Sequence, residues 1–534
     1  MAMNWRDRLR ALRERIFGNG AAPRKPPPAP TQARPKADKP EASPVQTARL
    51  EEPAVRAPPS FKFPSSTTQA RVKAKPKTAA PPKPEGPLPV VAINFGIDFG
   101  TSFTKVCFRD VGTEESGVVS FGDSRSAKHL LPTIVSIDES GALFTGNETP
   151  KGAKVVRIPY LKMRLAGGEF GDPLPVVGGI DLNSPAAVRA LASWFLARVL
   201  IRSQEWLAEN ETARLKNRRP VWSANVGVPV EHFDSDALDV FREVLGVAWM
   251  WVKYDRPPAT LAELLPAYNA ALPALVAETA DFHAVPEIAA AVQSFVVSRE
   301  ALPGIYVYFD IGGGTIDGVA FNFANYSGER RINFYSGKVA PLGMSALANA
   351  LGDRSDGSVK PDRLTEILAN GTLAAKAEFS DAVQRLVANV IVTAKRKDGR
   401  NWQEDTIQGR SYERKYIGTL EPSRMQPLIV FLGGGGARTE WYQTAIRSTY
   451  KDFNHHRAGI PPYRLIEVPK PADLVMSGLD DNEFLRFAIS YGLSIPFGEG
   501  PDVGLPRQFA ETERPKVWQP PHQVDYADSK DVYD

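Results

Sequence analysis

Cysteine is almost absent. Cys107 is the only one in 534 residues, so no disulfide can form within the chain, and a reducing cytosol is the expected compartment. It lies in the apolar run Val106-Cys107-Phe108 and reads as a small buried hydrophobe rather than a nucleophile. Histidine is also scarce. The six histidines have no close Cys or His partners, and the adjacent pair His455-His456 cannot face one metal from a helix, so there is no zinc signal. Apolar runs are short: none approaches the length that spans a bilayer, and the N-terminus has no signal-peptide pattern.

What is present is unevenly distributed. The net charge of +4 divides sharply: residues 1–92 hold 18 Lys and Arg against 7 Asp and Glu, a balance of +11, which leaves −7 for the rest. A basic leader suits an anionic membrane or nucleic acid, although most such tails are simply solvated; no specific nucleic-acid partner is expected. Residues 20–90 carry 18 of the 46 prolines, too little apolar material to offset ordering entropy, and read as a disordered, partly polyproline-II linker over 21–91. Ahead of it, within residues 1–20, Trp5, Leu9, Leu12 and Ile16 share one face of an expected helix over 4–17. Asn4 serves as N-cap and Gly18-Asn19-Gly20 as stop. So short a helix is marginal alone. Its stripe needs a partner groove or an anionic membrane surface, where each basic residue adds about 1 kcal/mol.

Beyond the linker, two segments more than two hundred residues apart follow one plan. Gly96-Ile97-Asp98-Phe99-Gly100-Thr101-Ser102-Phe103-Thr104-Lys105-Val106 is an apolar run ending in an aspartate, then a Gly and Thr/Ser turn, then a second β-type run. Tyr308-Phe309-Asp310-Ile311-Gly312-Gly313-Gly314-Thr315-Ile316-Asp317-Gly318-Val319 repeats it. Each reads as a β-hairpin with a carboxylate at the end of its first strand. Its N–H groups and hydroxyls suit phosphate oxygens, and its acid suits a hydrated Mg²⁺, which keeps several waters and takes few protein ligands.

These hairpins resemble the phosphate-1 and phosphate-2 motifs of the actin-like ATPase superfamily, which includes hexokinase and the DnaK-type heat-shock chaperones. Ile429-Val430-Phe431-Leu432-Gly433-Gly434-Gly435-Gly436-Ala437-Arg438 is similar to its adenosine motif, and the three come in the family's order. Leu131-Pro132-Thr133-Ile134-Val135-Ser136-Ile137 with Gly141 and Phe144-Thr145-Gly146-Asn147-Glu148 resembles the DnaK-type branch, as does Tyr160-Leu161-Lys162-Met163-Arg164-Leu165, the segment carrying that branch's catalytic lysine. Val226-Gly227-Val228-Pro229 resembles the strand end before its connecting helix. Pro286-Glu287-Ile288-Ala289-Ala290-Ala291 and Phe487-Ala488-Ile489-Ser490-Tyr491-Gly492 resemble its two connect helices. The likeness covers roughly residues 92–498.

It implies an α/β fold of two actin-like lobes (duplicated ribonuclease-H-like domains), lobe I over 92–300 and lobe II over 301–498, closing on ATP or ADP with Mg²⁺. Asp98 and Asp310 would hold the metal through water, and Thr101, Ser102 and Lys105, beside Gly100, would meet the β-phosphate. Lys162 would neutralise charge on the transferred γ-phosphoryl group. Gly312, Gly313, Gly314 and Thr315 would cradle the β- and γ-phosphates, with Asp317 orienting Thr315 or water. Gly433, Gly434 and Gly435 would make room for the nucleoside, with Arg438 stacked on adenine. Two departures stand out: Val285 precedes Pro286 where the family has glutamate, so that base-like glutamate is either absent or replaced by Glu287 two positions on, and the adenosine turn has an extra glycine.

Between these motifs, helices are expected over Leu182–Trp206, Ser235–Leu245 and Leu373–Lys397, and a strand over Val221–Val228. Residues 253–282 read as an insertion broken by Pro257, Pro258, Pro266 and Pro273, a second surface for a protein partner or a tolerated excursion. From 499 only a polar tail is expected; the peptide-gripping β-sandwich of the chaperones has no counterpart. The function implied is a slowly hydrolysing, nucleotide-gated ATPase switch in the cytoplasm, tethered by its N-terminal helix to a partner or to the inner face of a membrane. An actin-like filament former and a small-molecule kinase are the alternatives.

Overall fold

The segment from Val90 to Phe99 is apolar at almost every position, which suits a strand covered on both faces. In the computed structural model it is buried from Val91 onward apart from the half-buried Ala92. The structure describes residues 88–511 except 123–127, 147, 150–151, 168–172, 255–256, 278–280, 299–300, 327–328, 352–360, 399–426 and 456–459. The expected helix at 4–17, the linker up to residue 87 and the tail from 512 lie outside the described residues.

The fold is mixed α/β with several sheets. In the first large sheet, β1 (Val90–Phe99) pairs antiparallel with β2 (Phe103–Asp110), which pairs antiparallel with β3 (Ser116–Val118). On its other side β1 runs parallel to β4 (Arg219–Val228), and β4 parallel to β5 (Phe282–Pro286). The second large sheet repeats that order and sense. There β6 (Gly304–Ile311), β7 (Ile316–Tyr326) and β8 (Glu329–Ala340) form an antiparallel meander. The strands β9 (Leu428–Gly433) and β10 (Tyr463–Glu467) add in parallel beyond β6. Tight turns make the antiparallel pairs, and helical crossovers make the parallel ones.

Among the helices are those labelled α1 (Leu161–Leu165), α2 (Pro185–Asn210), α3 (Ala237–Lys253), α4 (Leu261–Ala271), α5 (Glu287–Ala291), α6 (Met344–Ala350), α7 (Leu373–Asp398), α8 (Glu440–His455) and α9 (Ala488–Ser494). Ser184 starts α2: its hydroxyl accepts the Ala187 N–H at 3.3 Å, and Pro185 takes the first helical position, where no N–H is required. Two apolar cores result. One joins the first sheet to α2, α3 and α4; the other joins the second sheet to α5, α7, α8 and α9.

Three expectations meet a different outcome. The helix expected to end at Leu245 runs on to Lys253, because Val247, Ala248, Trp249 and Trp251 continue its buried face. Pro266 does not break the insertion but sits inside α4. A proline there forfeits the bond to the Ala262 carbonyl. The helix persists because Thr260 and Glu263 form a capping box and because Leu264 and Tyr268 are buried, with the Tyr268 hydroxyl bonded to Glu243 of α3. One face of α4, with Leu261, Leu264, Tyr268 and Ala271, is therefore core. Finally, the tail expected from 499 contributes Asp502–Gly504, a strand parallel to β8, and packs Phe509 on Tyr335. Among the described residues, no helix is long and apolar enough to cross a membrane.

Candidate functional site

Asp98 and Asp310 stand one residue before the ends of the first strands of the two hairpins, and the fold brings those hairpin tips together. Thr101 Oγ1 lies 3.5 Å from Thr315 Oγ1, across 214 residues of sequence. A β-carbon on Gly313 would overlap the Ser102 side chain, and one on Gly314 would overlap Thr101. Glycine is required at both positions so that the two backbones can approach. Gly100 is equally crowded, against the Phe103 carbonyl. The second turn spends its carbonyls inward: Gly312, Gly313 and Gly314 accept from Met344, Ser345 and Gly343, and Thr315 accepts from Gly312. These bonds anchor it to the start of α6.

Behind the tips lies a set of ionisable groups. Lys105 stands opposite Asp98 in the β1–β2 register and bonds its carboxylate. Burial opposes the Lys105 charge, yet Asp98, Asp310 and Glu287 together hold its pKa above the ordinary lysine value. Lys162 on α1 donates to Glu287 at the start of α5, both buried. Tyr160, just before α1, has φ 60°, a left-handed conformation that costs a bulky residue about 1–2 kcal/mol. The Lys162 loop is thus held in place by its surroundings rather than by local preference. Burial pushes Glu287 up to about 7, with Lys162 pulling the other way and Asp98 and Asp310 adding to the rise. Asp310 is pushed up to about 6, first by burial and then by Asp98, against Lys105 and Lys162.

Asp317 lies across from Asp310 in the β6–β7 register. It is buried, neither oxygen has a hydrogen-bond partner, and burial, followed by repulsion from Glu287, raises its pKa well above the carboxylate range. It makes no hydrogen bond to Thr315.

The glycine turn after β9 sits on this cluster. Gly433 pairs with Asp310 in register, and a β-carbon there would overlap the Tyr308 hydroxyl. Gly434 has φ 79°, and its β-carbon would come 2.8 Å from Asp310 Oδ1. Its N–H donates to Leu485 O at 3.1 Å, and Gly435 faces Arg486, whose Nε would lie 3.9 Å from a β-carbon there. Arg438 points its fork at Glu467, with Nε and Nη2 each 2.8 Å from a carboxylate oxygen.

The sequence-expected residues therefore converge on one locality, with Arg438 at its rim. Sequence reasoning missed Tyr308, Asn94, Asn225, Glu231 and Glu467. Tyr308 shares the Asp310 face two residues back, and its buried hydroxyl has no partner. Asn94 and Asn225 are amides inside otherwise apolar strands, a signal available in the sequence. Their side chains donate to the Leu493, Ser494 and Ile495 carbonyls at 2.8–3.2 Å, tying the end of α9 to the first sheet. Glu231, following β4, accepts from Lys338 Nζ at 2.8 Å and from Val339 N–H at 2.7 Å on β8. Nothing in the local pattern marks either Glu231 or Glu467.

Four acids (Asp98, Asp310, Asp317 and Glu287) thus share the cluster with two lysines, Lys105 and Lys162. Burial is the first cause of the raised pKa values of Glu287, Asp310 and Asp317, and neighbouring acids add to it. Among the described residues, no three His, Cys, Asp or Glu side chains converge as direct metal ligands. No protein-family model matches the chain, and no curated protein matches it either.

Proposed function

We propose that this chain is a nucleotide-gated ATPase switch of the two-lobed actin-like, heat-shock-chaperone-like kind, binding ATP or ADP with Mg²⁺ and hydrolysing ATP slowly. The observation that carries the reading is the meeting of the two aspartate-tipped turns, Thr101-Ser102 against Gly313-Gly314, in front of a buried acid–lysine cluster. The repeated strand order of the two sheets is in keeping with a duplicated lobe.

The residues present suit a cation–polyphosphate pair. Glycine backbone and hydroxyls line both turns, and the buried Ser102 hydroxyl has no partner. The excess of acids would hold a hydrated cation through Asp98 and Asp310, since Mg²⁺ prefers to keep its waters. A bound Mg²⁺ would supply charge neutralisation at the phosphate oxygens. Lys162 would add a fixed positive charge beside the transferred phosphoryl group, and Glu287, tuned near neutrality, would accept a proton from the attacking water. Because the turns touch, they must part to admit a triphosphate. Once ATP is admitted the lobes would close on it and slow hydrolysis would open them, each nucleotide shifting the equilibrium by its differential affinity for the two forms.

The segment 4–17, expected from its sequence to be helical, would tether this switch to a protein partner or an anionic membrane surface, raising its local concentration. Calorimetry of the purified chain is expected to show Mg²⁺-dependent binding of ATP and ADP; no heat with either nucleotide would remove the reading. Asp310→Ala and Lys162→Ala are each expected to lower turnover about a hundredfold or more while the chain stays folded.

A further inference from the structure

The turn from Gly433 to Gly436 is bordered by two guanidinium groups, each tied to a carboxylate. Arg438 is gripped by Glu467 at both Nε and Nη2, and Arg486 pairs with Glu483 at 3.1 Å. The Arg438 pair is the better formed. Two parallel N–H···O bonds fix the plane of the guanidinium as well as its position, which one bond would not. Both partners are about half exposed, so the pair adds little to folding stability. Glu467 ends β10 and lies beside Leu432 in register, at the carboxyl end of a parallel strand, where ligands of open α/β sheets collect. A rigid, open cationic plane at that place is suited to a flat aromatic ring.

We propose that Glu467 is the positioning residue for nucleoside recognition: it holds the Arg438 guanidinium flat beside the glycine turn so that a purine base stacks on it. The inference rests on the nucleotide-binding reading above and assigns the nucleoside part of that affinity. With Glu467 removed, Arg438 keeps its charge but loses its fixed plane, so nucleotides bind more weakly while the polyphosphate contacts at residues 101–105 and 312–315 are untouched.

The test compares binding of ATP with that of inorganic tripolyphosphate, both with Mg²⁺, to the full chain and its variants. Glu467→Ala is expected to weaken ATP about tenfold, the scale of one cation–π contact, and to leave tripolyphosphate unchanged. Arg438→Ala should have the same selective effect. The double variant Arg438→Ala/Glu467→Ala should be no weaker than Arg438→Ala alone, because the two residues act as a unit. Equal weakening of ATP and tripolyphosphate by Glu467→Ala, unchanged ATP binding, or additive losses in the double variant would overturn the assignment. Wild-type protein that takes tripolyphosphate as tightly as ATP would overturn it too while sparing the phosphate cradle. Wild-type protein that binds neither would overturn the nucleotide reading itself, and this assignment with it.

Discussion

Asp310 and Glu287 show how environment, rather than residue type, sets chemistry. Both are carboxyls whose pKa burial raises, to about 6 and about 7. Asp310 ordinarily titrates near 3.8. Between that value and about 6 the folded chain keeps a proton that the unfolded chain has lost. Its favourable contribution is therefore present in full below 3.8 and lost as pH rises through about 6. Asp310→Asn should accordingly gain stability relative to wild type across that interval, by an amount on the order of 1–3 kcal/mol. Thermal midpoints of the two proteins at matched pH provide the check, and a constant gap between them would contradict it. Glu287 gives a kinetic counterpart. As the proton acceptor it works only when ionised, so turnover should climb with pH through about 7. Glu287→Gln should lose about two orders of magnitude and flatten that limb. A wild-type pH–rate profile retained by Glu287→Gln would place the base elsewhere.

At the scale of elements, α9 is the piece that binds the end of the described chain to its beginning. Gly96 of β1 lies against the Ser490 carbonyl, and Gly492 lies against the Ala290 carbonyl of α5; a β-carbon at either would collide. The carbonyls that end α9 have no partners further along a helix. Asn94 and Asn225 supply them, each being buried in a strand of the first sheet. Asn225→Leu leaves the Ile495 carbonyl without that bond and should cost about 1–3 kcal/mol in urea denaturation. A loss below a few tenths would mean that α9 is held by packing alone. The same segment is fastened at its outer side, where Asp473 collects Arg109, Ser116 and Tyr491 at 2.7–3.2 Å. Elements distant in sequence thus lock onto the strand that carries Asp98.

For the whole molecule, the contact between the hairpin turns is what makes a switch reasonable, since a ligand admitted between them must shift one part against the other. The basic leader has a separate role in the proposal. Deleting residues 1–20 should leave ATP affinity and turnover within about twofold of wild type, because residues this far along a linker act through effective concentration rather than through the site. The same deletion should redistribute the protein in cells. A tagged deletion that keeps the full-length distribution would rule out the tether, and one that loses ATP binding would make the leader part of the site.

The sequence by itself determined both hairpins, the glycine turn after β9, and the strand and helix types around them. These are local matters: apolar alternation, strand-ending aspartates, and glycines where backbones must approach closely. It also marked Asp98 and Asp310 as the acids of the two hairpins, while Lys162 and Glu287 were marked only by the family resemblance. Only the tertiary structure decided how they act. It paired Lys162 with Glu287 and Lys105 with Asp98, buried Asp317 without a hydrogen-bond partner, and joined Arg438 to Glu467. It also kept Pro266 within a helix whose buried face and cap outweigh one missing bond. Pairing, burial and pKa depend on which distant segments share a dry volume, and that is a property of packing, which no single stretch of sequence carries.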